Sequence, residues 1–120
     1  MKAERENLRG RTKAFALEII RMFSALPKSV EAQVMGRQVL RSGTSVGANY
    51  REAFRARSDA EFSAKMGDCL KELEETAYWF ELLAESGIMP SEKLKFLQDE
   101  TNQLTAIFVT IIKNQKGKRH

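Results

Sequence analysis

Few residues in this chain could do chemistry, and their spacing excludes most of it. A di-iron bundle needs glutamates on two helices and a Glu-x-x-His pair on each of two others. The single histidine here is His120, the last residue. One cysteine and one histidine cannot supply the four ligands of a structural zinc site. A nucleophilic thiol wants a histidine or an electropositive setting, yet Cys69 follows Asp68 and falls in an apolar stripe. Gly43-Thr44-Ser45-Val46-Gly47 lacks the Gly-Lys-Ser/Thr ending of a phosphate loop and has no strand before it. The expectation is a chain without catalytic residues, without metal and without cofactor.

What remains is polar and basic. Gln38, Arg41, Ser45, Asn49 and Glu52 recur on one side of a helix. Glu72 and Glu75 sit beside the apolar stripe of a later helix. A buried arginine needs a carboxylate and further hydrogen bonds. Arg41, Ser45, Asn49, Glu52, Glu72 and Glu75 are therefore expected to form a structural polar network between helices. The same cluster would also suit a ligand or nucleic-acid pocket. Arg37, Arg51, Arg55 and Arg57, with Lys113, Lys116, Lys118 and Arg119 near the C-terminus, are the candidates for phosphate contacts. They are spread over helical faces, without interleaved aromatics.

Charge is segregated along the chain, whose net charge is +4. Residues 1–26 carry six basic and three acidic side chains, and residues 27–57 carry six and two. Residues 58–90 carry two and eight, and residues 91–120 carry six and three. The third segment is thus the one a polyanion would avoid. Helix-to-helix charge matching would use the same asymmetry.

The elements that must position these groups follow from periodicity. Leu8, Thr12, Phe15, Ile19, Met22 and Leu26 alternate in steps of four and three, and Pro27 stops the helix. Met35, Val39, Ser42, Val46, Asn49 and Ala53 do the same in a second helix that Ser29 can cap. Gly43 and Gly47, four apart, offer a neighbouring backbone a close approach, with Ala48 beside them in the packed face. Ser58-Asp59-Ala60-Glu61 matches a capping box. The third stripe then runs Phe62, Met66, Cys69, Leu73, Thr76, Phe80 and Leu83, and Gly87 stands where a helix C-terminus wants glycine. Leu94, Leu97, Thr101, Leu104, Phe108 and Ile111 define the fourth stripe. That register argues for helix through the β-branched segment 107–112.

These signals predict an all-α, antiparallel up-down-up-down four-helix bundle forming one domain over residues 1–120. Its helices are expected at about 3–25, 29–57, 59–86 and 91–115, with a frayed tail at 116–120. The third and fourth helices carry apolar residues around most of their circumference, which calls for a second neighbour. Tyr78, Trp79, Leu82, Val109 and Ile112 are the candidate oligomer interface, another copy of the chain being the simplest partner. No stretch approaches the ~20 apolar residues of a membrane span. The N-terminus lacks a signal peptide's apolar run, and a lone cysteine fits a reducing compartment, so the expected location is the cytoplasm.

Three segments also carry a resemblance: Arg41-Ser42-Gly43-Thr44-Ser45-Val46-Gly47-Ala48-Asn49-Tyr50-Arg51-Glu52-Ala53, then Ala60-Glu61-Phe62, then residues 70–83. They resemble the bacterial four-helix-bundle proteins encoded in intervening sequences of 23S rRNA genes, over roughly Lys13 to Ile112. That resemblance implies a cytoplasmic bundle assembling into a homo-oligomeric ring, commonly a pentamer. A related branch serves retroelements as an accessory subunit that binds nucleic acid and a reverse transcriptase. The implied partners are therefore a second copy of the chain, RNA or DNA, and a polymerase-type protein, with no membrane and no family catalytic residues. A non-catalytic nucleic-acid-associated or scaffolding protein is the first expectation, and a protein–protein adaptor the alternative.

Overall fold

A computed structural model of the protein describes the backbone of residues 2–117 and the side chains of residues 7–115. Four helices and no strand occupy the described residues: α1 (Lys2–Ser24), α2 (Val30–Ala53), α3 (Asp59–Glu85) and α4 (Ser91–Gly117). They form a body of 50 × 22 × 20 Å. Helix α2 packs against both α1 and α3, α3 packs against α4, and α1 meets α4 more sparsely.

The ends of the helices have local causes. Ser29 accepts a hydrogen bond from the Ala32 amide and opens α2. Ser58 accepts from the Glu61 amide at 3.0 Å and opens α3. The Glu61 carboxylate reaches back one residue further than a capping box requires, accepting from the amide of Arg57 at 3.2 Å. Gly87, with φ +78°, turns the chain out of α3 in the left-handed region that glycine enters without strain. The Met89 amide then donates to the Leu83 carbonyl, and Met89 is buried.

Helix α2 ends at Ala53, about four residues before the expected boundary near Arg57. Beyond it the backbone tightens to i→i−3 bonds, Arg55 to Glu52 and Ala56 to Ala53. Phe54 turns there onto Tyr50 and Phe62, its ring 4.9 and 5.8 Å from theirs. Aromatic packing at this end outweighs one more helical turn.

The core consists of the four stripes. Every residue named for α1 from Leu8 to Leu26 is buried, as are Met66, Cys69, Leu73, Thr76, Phe80 and Leu83 of α3. Leu94, Leu97, Thr101, Leu104 and Phe108 do the same on α4. Helix α2 contributes Val39, Ser42, Val46 and Ala53, whereas Met35 and Asn49 are half-buried. Tyr50, one place off that stripe and 2% exposed, is the largest fully buried side chain. Its ring meets Phe108 edge-on at 5.7 Å.

The glycine face of α2 looks at α1. A Cβ at Gly36 would stand 2.5 Å from Leu26 Cδ1, and one at Gly43 would overlap Ile19 Cδ1. One at Gly47 would stand 3.2 Å from Thr12 Oγ1 and 3.6 Å from the Thr12 backbone. Ala48 is not part of this face. It is exposed, because one residue is a 100° rotation and carries position 48 to the outside.

Gly43→Ala is expected to lose stability despite alanine's ~1 kcal/mol advantage in helix propensity. The loss should shrink in an Ile19→Val background, which removes the methyl the new Cβ strikes. A double-mutant cycle by urea denaturation measures that coupling, whereas Ala48→Leu should stay within about 0.5 kcal/mol of the parent.

Candidate nucleic-acid interface

About 110° round from its glycine face, α2 shows a line to solvent. Residues 30, 34, 37, 41, 44, 48 and 51 alternate in steps of four and three and so share one side. Val30, Val34, Arg37, Arg41, Ala48 and Arg51 are exposed along it, and Arg55 and Arg57 follow, exposed, in the turn after the helix. Small residues in the middle, Thr44 and Ala48, leave the arginines standing proud.

Pairing decides which of these cations are available. Arg41 is engaged: its guanidinium donates to Glu72 at 3.2 Å, to Glu75, and to Gln38 at 3.5 Å. Trp79 Nε1 donates to the same Glu75 oxygen at 3.0 Å. Arg11 of α1 forms a fork on Glu100 of α4 at 2.7 and 2.8 Å and also donates to Gln103. Arg21 is tied to Glu18. Arg9, Lys13, Lys28, Arg37, Arg51, Arg55 and Arg57 are exposed and carry no ion pair among the described residues. Among residues 7–57 the only unpaired carboxylate is Glu31, since Glu18 is held by Arg21 and Glu52 by Lys65. Helix α3 is the reverse: Asp59, Glu61, Asp68, Glu74, Glu81 and Glu85 are all exposed.

The six residues expected to form one polar network fall into separate groups. Arg41, Glu72 and Glu75 meet, but the Arg41 side chain is 50% exposed, so the group is a clamp on the α2–α3 surface. Ser45 turns back to donate to the Arg41 carbonyl at 2.6 Å. Glu52 pairs instead with Lys65 at 2.8 Å, which holds its carboxyl below the usual range and raises the Lys65 ammonium. Asn49, half-buried, makes no hydrogen bond to either group. At 1.5 Å rise per residue, Glu52 stands about 16 Å along α2 from Arg41, too far for one cluster to span.

Beneath the clamp lies a buried polar seam. Thr76 donates to the Glu72 carbonyl at 2.7 Å, and its Oγ1 stands 2.7 Å from Ser42 Oγ, both side chains being fully buried. Cys69 Sγ reaches the Val46 carbonyl at 3.5 Å. Burial first, and then the neighbouring Asp68, pushes the Cys69 thiol from 9.0 up to about 12, so it is an inert thiol and not a nucleophile. Ser42 and Thr76 each stood at a core position in the sequence, which was the available signal for their meeting. The Arg11–Glu100 fork had none, its partners being 89 residues apart.

Of the five expected interface residues, Tyr78 and Val109 are 52% and 46% exposed, while Trp79, Leu82 and Ile112 are half-buried. Trp79 and Ile112 pack against the protein's own core. Exposed apolar surface that the sequence did not single out lies at Leu17, Ile20, Val34 and Phe96. Lys113 is exposed; the side chains of Lys116, Lys118 and Arg119 lie outside the described residues.

Among the described residues no group of His, Cys, Asp and Glu could hold a metal, and no helix is long and apolar enough to cross a membrane. Fold and surface together define an all-α protein of four helices that presents charged faces. The chain belongs to the 23S rRNA-intervening sequence protein family, whose pattern matches residues 7–110. It is also similar to a crystal structure of a protein with unknown function from the S23 ribosomal protein family of Bacteroides thetaiotaomicron. That structure is 36% identical with a TM-score of 0.82, over 88% of this chain and 97% of the other. No curated protein matches the chain.

The Cys69 thiol sets a pH dependence. Unfolded, it loses its proton from about pH 9; folded, it keeps it to about 12. The unfolded state therefore binds fewer protons in that window, and stability falls as pH rises through it. Melts of the parent and Cys69→Ala should converge between pH 9 and 11, because the variant lacks this loss.

Proposed function

We propose that this chain is a non-catalytic, homo-oligomeric protein that associates with nucleic acid through its α1–α2 side. The observation that carries the proposal is the set of cations on that side that have no carboxylate: Arg9, Lys13, Lys28, Arg37, Arg51, Arg55 and Arg57. A polyanion gains from releasing counterions at such a surface, and the acidic outer face of α3 orients it away. The up-down-up-down course is supported by the α1–α2 contacts. Residues 36, 43 and 47 of α2 meet residues 26, 19 and 12 of α1 in descending order. Assembly into a ring, with five copies as the resemblance implies, is supported by Tyr78 beside the acidic α3 face and by Leu17 and Ile20 on the basic α1 face. Such exposed apolar side chains suit a contact between copies that leaves the α2 cations Arg37 and Arg51 to the nucleic acid. The single buried cysteine suits the cytoplasm.

An adaptor for a polymerase-type protein is the second possibility, and Phe96, 64% exposed on α4, favours it. It is separated from the first by salt. Affinity for RNA and for duplex DNA should fall about 10³-fold between about 50 and 200 mM salt if six phosphates are contacted. Arg37→Glu with Arg51→Glu should weaken binding at every salt concentration and flatten that slope. Removing Lys113, Lys116, Lys118 and Arg119 tests the tail in the same assay. Mass photometry measures assembly alongside. A monomer at micromolar concentration removes the oligomer, and an absence of binding at 50 mM salt leaves the adaptor.

A further inference from the structure

At one end of the protein, the turn between α2 and α3 faces the last described turns of α4 across a cleft of about 770 Å³. Its floor is apolar: Leu8, Ala53, Phe62, Met66 and Ile111. Its wall is aromatic, built from Tyr50 and Phe54, and Phe54 is 41% exposed. Its rim is polar: Arg57, Ser58 and Asp59 on one side, the amides of Asn114 and Gln115 on the other. Arg57 spends only its backbone amide, on Glu61, while its guanidinium makes no ion pair among the described residues.

We propose that this cleft receives one unpaired nucleobase of a single-stranded nucleic acid. It deepens the nucleic-acid proposal above and rests on it. Three features carry it together. The volume lies within the range of clefts that enclose small organic groups. A half-exposed aromatic ring offers a stacking surface that every base can use, whatever its sequence. The Arg57 guanidinium, without an ion pair, stands on the rim, where the phosphate flanking an inserted base would lie, and the amides opposite can pair with a base edge. Among the described residues Asp59 is the one acidic side chain on the rim, in the first turn of α3, where the positive end of the helix offsets it. An aromatic side chain from a second copy would fill the floor and leave the Arg57 guanidinium unpaired; a base with its phosphate uses both.

The test compares a single-stranded 12-mer bearing one 2-aminopurine with a duplex of the same length, using the full chain. The parent should quench the 2-aminopurine on binding. Phe54→Leu keeps apolar volume but removes the π-face. It should lower affinity for the single strand about 5- to 150-fold, the range that loss of one stacked base spans. Duplex affinity should change less than two-fold, because the α1–α2 face is intact. Phe54→Trp should restore the quench, and Phe96→Leu, which alters an exposed aromatic ring outside the cleft, should change neither. Equal binding of both probes with no quench, unaltered by Phe54→Leu, overturns the cleft assignment while leaving the basic face standing. A Phe54→Leu variant that binds both probes normally but changes its oligomer size shows the occupant to be a second copy. Absence of all binding at 50 mM salt removes the broader proposal instead.

Discussion

The close approach of α1 to α2 is the constraint on which the other parts depend. Gly36, Gly43 and Gly47 leave room into which Leu26, Ile19 and Thr12 project. Each glycine costs helix stability, roughly 1 kcal/mol relative to alanine, so α2 is a poor helix by itself and a good one only in contact. The cost is offset by burial of Ile19 and Phe15 at almost no exposure. Because the glycines hold one side of α2 to α1 and Ser42 holds another to Thr76 of α3, the third side, about 110° round from the glycines, is left to solvent. That side carries Arg37 and Arg51.

Ion pairs then divide the surface. Arg11 with Glu100, Arg41 with Glu72 and Glu75, and Glu52 with Lys65 all lie at helix–helix boundaries. Exposed pairs of this kind add little stability each. Their larger effect is on charge: they neutralise cations at the boundaries and leave those on the outer faces uncompensated. The outer face of α3 is acidic because its glutamates outnumber its lysines and only some are engaged. A protein with net charge +4 thereby has a basic side and an acidic side.

The buried seam of Ser42, Thr76 and Cys69 serves the same order. Hydroxyls inside a core must be paired, and here they pair across α2 and α3 and with backbone carbonyls. A shift of α3 by one turn would strand them, so the seam specifies the register in which Arg41 reaches its two glutamates.

Periodicity alone determined the four helices, and nearly every core residue of α1, α3 and α4, because a stripe in steps of four and three can face only one way. Ser58 and Gly87 determined the ends of α3, since their side-chain chemistry and backbone freedom act locally. Tyr50 escaped the α2 stripe because its ring is buried against Phe108 of α4, a partner that spacing within α2 does not record. The end of α2 at Ala53 was decided by Phe54 and Phe62, whose meeting no local pattern records. Tertiary structure alone decided that Ala48 is exposed, that Glu52 leaves Arg41 for Lys65, and that Trp79, half-buried, donates to the Glu75 that also holds Arg41. Each is a choice among partners on different helices, and sequence spacing measures distance only within a helix. The same limit hid the cleft, whose walls come from residues 8 to 115 and exist only once α1, α2, α3 and α4 have met.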